Sequence, residues 1–137
     1  PTYSEEAVAE VIQLVGLKGR EMDRIKTFST GMCQRICLAK ALIHKPELLI
    51  LDEPFSGMDI EGRNELVQLL KHIIEKEGTS VLISSHQIHD IEGLTDKVCI
   101  VSDSQWVETA SAVAIRKDYP TIESYYLASV SRRRETA

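Results

Sequence analysis

Leu48-Leu49-Ile50-Leu51 are four consecutive apolar residues that end abruptly in Asp52-Glu53-Pro54. A run this short between breakers suits a strand, and its lack of alternation suits one buried on both faces, as in a parallel sheet. Thr79 to Ser84 (T-S-V-L-I-S) reads as a second buried strand. Between them, Leu66, Leu69, Leu70, Ile73 and Ile74 recur at helical spacing, which predicts an amphipathic helix over Ile60 to Lys76 closed by Gly78. Strand–helix–strand order requires a right-handed crossover and parallel pairing, so the expected class is α/β.

The flanking segments fit that class. Glu5 to Leu17 has Val8, Val11, Ile12 and Val15 at helical spacing, with Ser4 as N-cap. Lys18 to Thr27 is charged and aperiodic, a loop or a short helix. Ser29 and Thr30 precede a second helix running to about Ile43, with Ile36, Ala39, Leu42 and Ile43 on one side, and Pro46 ends it. Gln87 to Leu94 reads as a short helix. Lys97 to Val101 and Gln105 to Thr109 read as a hairpin turning at Ser102-Asp103-Ser104. Pro120 opens a last helix carrying Ile122, Tyr125, Tyr126 and Val130. At 137 residues, one domain with a real core is expected.

Charge narrows the partners. The chain has 16 basic and 21 acidic residues, a net charge of -5, which argues against nucleic acid. The basic run Arg132-Arg133-Arg134 reads as a solvated tail, with contact to anionic lipid headgroups as the sharper alternative. Cys33, Cys37 and Cys99 form no C-x-x-C pair and have no His at ligand spacing, so reduced thiols are expected. No stretch approaches the ~20 apolar residues of a membrane span, so no direct membrane insertion is expected. Any role at a membrane would run through a partner.

In open α/β sheets, ligand groups gather beyond the carboxyl ends of the strands. The first strand delivers Asp52 and Glu53 there, the second Ser84, Ser85 and His86. An apolar run ending in Asp is the Walker B pattern of P-loop NTPases, where the carboxylate holds Mg²⁺, a hard cation that prefers oxygen ligands. A Glu directly after it is placed to deprotonate an attacking water. By itself, an acidic residue at a strand end is also common at turns.

The neighbouring motifs decide between these readings. With F-S-T-G-M-C-Q-R at Phe28 to Arg35, F-S-G-M-D at Phe55 to Asp59 and S-S-H at Ser84 to His86, the chain resembles the ATP-binding domain of ABC transporters, in its later part. The S-T-G-M variant resembles exporter ATPases of the ABC-2 kind. The resemblance implies a partial P-loop NTPase fold. Residues 1–45 would be part of the helical subdomain with the signature motif, 46–130 the Walker B side of the ATPase core, and 131–137 a tail. It implies Asp52 as the Mg²⁺-associated aspartate, Glu53 as the general base and His86 as the switch histidine that contacts the γ-phosphate. Ser29, Thr30, Gly31 and Met32 stand at the family's signature, L-S-G-G-Q. There, a helix N-terminus offers donors to the γ-phosphate held by an opposite subunit. Thr30 replaces a Gly and Met32 a Gln. Ser56 to Asp59 match the D-loop at the family's dimer interface.

The implied cofactors are ATP and Mg²⁺. The implied partners are a second ATPase subunit and a membrane permease, with the chain cytoplasmic and peripheral to the membrane. The implied function is ATP hydrolysis that energises export. The alternative is a non-catalytic interaction module that contributes its signature and D-loop in trans to another ATPase chain. ABC-type ATPases of chromosome maintenance or translation carry coiled-coil heptads or basic RNA-contacting segments, and neither stands in this sequence.

No segment matches the Walker A loop, G-x-x-x-x-G-K-[S/T], whose backbone and Lys cradle phosphates. Gly57 to Asn64 has the glycine spacing, but Arg63 and Asn64 replace Lys and Ser/Thr, and it follows the Walker B strand. The 137 residues alone are therefore expected to bind ATP poorly and to be inactive. Part of an apolar face of the first strand should also lack cover, which favours self-association or a complementing partner.

Overall fold

The computed structural model describes residues 3–102 and 104–136 and divides into two compact units, residues 1–86 and 87–137. Asp103 of the expected hairpin turn and Ala137 of the expected tail lie outside the described residues, as do Pro1 and Thr2.

The first unit opens with helix α1 (Glu5–Leu14), capped as expected by Ser4, whose hydroxyl accepts from the Ala7 N–H at 3.2 Å. Val11, Val15 and Leu17 are buried, while Val8 stays exposed. A short 3₁₀ turn (Ile25–Thr27) leads to α2 (Thr30–Leu42), which packs on α1 and buries Leu38, Ala39 and Leu42. Strand β1 (Leu48–Asp52) follows, then α3 (Ile60–His72), with Leu66 and Leu70 inward. The expected continuous helix to Lys76 changes pitch into a π-helical turn (Ile73–Glu77), ended by Gly78 at φ 69°, the left-handed cap that glycine tolerates. Strand β2 (Ser80–Ser84) then pairs with β1 in parallel, with Leu48 opposite Ser80 and Asp52 opposite Ser84.

The expected burial of β1 on both faces is not observed. Leu49 is buried, but Leu48 and Ile50 are 53% and 66% exposed, and Leu82 of β2 is 56% exposed. In this two-stranded sheet one face buries Leu49, and the face of Leu48, Ile50 and Leu82 stays more than half exposed.

In the second unit, α4 (Ile88–Ile91) precedes an antiparallel hairpin of β3 (Lys97–Ser102) and β4 (Gln105–Ser111), whose register shifts between Ile100 and Val101. A helix not foreseen from sequence, α5 (Ala112–Asp118), starts where the Ser111 hydroxyl accepts from the Ala114 N–H at 3.1 Å. Its buried residues, Ala112 and Ile115, span a single turn, too little to show a period. Helix α6 (Ile122–Thr136) includes residues 131–136 of the expected tail. Ile100, Ile115, Ile122 and Tyr125 form the core of this unit. No helix among the described residues is long and apolar enough to cross a membrane.

Candidate functional site

The parallel register fixes the first group of residues. Asp52 and Ser84 end their strands side by side, and the Ser84 hydroxyl donates to Asp52 Oδ1. The chain then turns sharply, because Glu53 adopts φ 46°, a left-handed conformation that costs a non-glycine residue about 1 kcal/mol or more. Two acceptors hold that turn. The Glu53 N–H donates to the Ser84 carbonyl and to the Ser84 hydroxyl, each at 3.1 Å.

The Glu53 side chain is gripped in turn by His86. The His86 backbone N–H donates to Oε1 at 3.0 Å, and Nδ1 lies 2.8 Å from Oε2. An ionised carboxylate only accepts, so Nδ1 carries the proton in this contact. Nε2 then bears the lone pair of a neutral ring, and donates only if the ring takes up a second proton. Each Glu53 oxygen keeps a further lone pair. Both side chains stay accessible, His86 at 69% and Glu53 at 37%.

The second group is built at the start of α2. Ser29 is the N-cap. Its hydroxyl oxygen accepts from the Met32 N–H at 3.3 Å, and its carbonyl accepts from Cys33 at 2.9 Å. That leaves the Thr30 and Gly31 N–H groups and the Ser29 hydroxyl proton as donors at a helix N-terminus. Thr30 has no positive φ, so replacing a family glycine there strains nothing.

The 55–59 loop packs against this helix start. Phe55 and Met58 are buried, and the Gln34 amide donates to the Ser56 carbonyl at 3.2 Å. Gly57 turns at φ 72°, and a Cβ placed there would sit 3.5 Å from the Thr30 methyl group. Asp59 caps α3, accepting from the Gly62 N–H at 2.8 Å. Together, Ser29 to Met32 and Gly57 to Asp59 line a cleft of about 500 Å³, with Lys18, Arg20 and Arg35 on its wall. Asp52, Glu53 and His86 do not line it. Residues Gly57 to Asn64, with their imitation of a phosphate loop, form a turn and the start of α3.

All the candidate residues therefore fall into two sets within residues 1–86: Asp52, Glu53 and His86 at the strand ends, and Ser29, Thr30, Gly31, Met32 and Asp59 around the cleft. Ser84, named from the sequence as a polar strand end without a role, links Asp52 to Glu53. Its position opposite Asp52 depends on strand register, which the sequence pattern does not carry.

Comparison with known proteins points to one family. The ABC transporter family model matches residues 3–56. The linearmycin resistance ATP-binding protein LnrL of Bacillus subtilis is 40% identical over 104 residues, covering 76% of this chain and 33% of that protein. The chain belongs to the ABC transporter ATP-binding family. The bacitracin transport ATP-binding protein BcrA of Bacillus licheniformis is 39% identical over 106 residues, 77% of this chain and 35% of its own length. This ABC ATP-binding chain thus spans about a third of the length of these relatives. Among solved structures, cbiO1 from Clostridium perfringens, part of the ABC transporter complex cbiONQ, superposes with a TM-score of 0.74. It has 23% identity and covers 82% of this chain and 45% of that one. That likeness gives the fold: the parallel β1–β2 pair and its helices are part of an ABC ATPase fold.

Proposed function

We propose that this chain supplies the Walker B, switch and signature elements of an ATP-hydrolysing subunit that energises an ABC-type exporter. The observation that carries the reading is the clamp of His86 on Glu53 beside Asp52, at the carboxyl ends of β1 and β2. Export is favoured by relatives named for bacitracin transport and linearmycin resistance, and by the S-T-G-M signature variant.

Each residue has a task that its surroundings suit. Asp52 Oδ1 is taken by Ser84, and no described residue bonds Oδ2, which is free to face a cation. Mg²⁺ commonly binds through one or two carboxylates plus waters and substrate phosphates, so the lack of a three-ligand cluster among the described residues is no obstacle. When bound, the ion would neutralise phosphate charge. Glu53 is the base that takes a proton from the attacking water, held in place by His86. His86 contacts the γ-phosphate through Nε2, as donor when the ring is doubly protonated. Ser29, Thr30 and Gly31 offer donors to the γ-phosphate of ATP held by an opposing subunit, and Met32 closes the signature without the amide of the usual Gln. Asp59 holds the D-loop at the dimer interface. In this reading the protein is cytoplasmic and held at the membrane by a permease.

The experiment replaces the matching residues of LnrL with this chain and measures phosphate release from Mg²⁺-ATP. The chimaera is expected to hydrolyse ATP, and Glu53→Gln to slow it by about a hundredfold or more. A folded, ATP-binding chimaera no faster than its Glu53→Gln variant would overturn the catalytic reading. That result would leave the second reading, an interaction module acting in trans, which the self-contained cleft of Ser29 to Met32 and Gly57 to Asp59 favours.

A further inference from the structure

We infer that Ser84 is a positioning residue, whose one hydroxyl sets both the carboxylate of Asp52 and the backbone turn of Glu53. The inference rests on the proposed roles of those two residues and adds a third to them. The hydroxyl works in both directions, donating to Asp52 Oδ1 and accepting from the Glu53 N–H at 3.1 Å. Neither bond is needed for the sheet, because the Ser84 backbone is already paired with Asp52 in the parallel ladder. Nor is it needed for packing, because Ser84 is exposed.

The consequence is geometric. With Oδ1 tied down, the Asp52 carboxylate presents Oδ2 in a fixed direction. With its N–H shared between the Ser84 carbonyl and hydroxyl, Glu53 is kept in the left-handed conformation, φ 46°, from which its side chain reaches His86. Outer partners of a metal-binding carboxylate typically govern affinity by fixing the ligand's orientation. Alanine or valine at this position leaves the strand intact and removes both contacts at once.

The test uses the chain itself, with Mn²⁺ alone as probe and two readouts. Paramagnetic broadening of the Asp52 amide resonance reports the metal, and hydrogen exchange at the Glu53 amide reports the turn. Ser84→Val and Ser84→Thr share a shape that suits a strand and differ in the hydroxyl. Val is expected to weaken Mn²⁺ binding about tenfold and to speed Glu53 exchange roughly fivefold, and Thr to restore both. Ser84→Ala should repeat the Val result. Wild-type behaviour of Val and Ala in both readouts, or a Thr variant as impaired as Val, overturns the positioning role. If Asp52→Asn leaves Mn²⁺ broadening unchanged, the metal-ligand reading of Asp52 fails instead, and the exchange readout still decides the part of Ser84 in holding Glu53.

Discussion

His86 holds both oxygens of Glu53, Oε1 through its backbone N–H at 3.0 Å and Oε2 through Nδ1 at 2.8 Å. One residue thus supplies a rigid donor and an adjustable one to the same carboxylate. The backbone donor persists whatever side chain stands at 86, whereas the ring donor is lost on truncation. His86→Ala should therefore change unfolding free energy by less than about 1 kcal/mol, since the pair is accessible to solvent. Phosphate release by the LnrL chimaera should fall about a hundredfold. Equal losses of stability and activity, compared by urea titration and a phosphate assay, would make the pair merely structural.

The uncovered face of β1 and β2 should drive association. Leu48, Ile50 and Leu82 are more than half exposed on a two-stranded sheet with open edges. Sedimentation of the 137-residue chain should show species larger than the monomer, and Ile50→Lys should shift the distribution toward monomer. The same preparation should release little phosphate from Mg²⁺-ATP. A monomeric wild type that binds no apolar dye would contradict the first expectation. Turnover abolished by Glu53→Gln would contradict the second.

Asp59 has a structural duty separable from its proposed interface role. Its carboxylate accepts from the Gly62 N–H and caps α3. Asp59→Ala should lower stability by about 1 kcal/mol, and Asp59→Asn, which keeps an accepting oxygen, by much less. Thermal unfolding of the two variants side by side measures the difference. An equal loss in both would point to charge instead of capping.

Tyr125 gives the second unit an alkaline limit. Burial, then the nearby Glu108 carboxylate, raise the phenol above its ordinary value of about 10. A raised folded value means the folded state binds the proton more tightly. The contribution is fully present below the unfolded value and is lost as pH rises from about 10 through the folded value. Stability measured across that range should fall with pH, and Tyr125→Phe should flatten the slope. An unchanged slope in the Phe variant would assign the effect elsewhere.

Much of this protein stands in its sequence because the relevant forces are local. The apolar run before Asp52, the helical spacing of Leu66 and Leu70, and the caps at Ser4, Ser29 and Gly78 are each set by residues a few positions apart. The motifs around Ser29, Asp52, Asp59 and His86 are equally local, and the ABC transporter model matches residues 3–56. What spacing could not convey is which groups meet across the chain. The bond from Ser84 to Asp52 depends on strand register. The grip of His86 on Glu53 depends on a left-handed turn, and the separation of the cleft from the strand ends depends on packing. The exposure of Leu48 and Ile50 was decided at the same level, because an apolar run records what a strand can bury and not what lies against it.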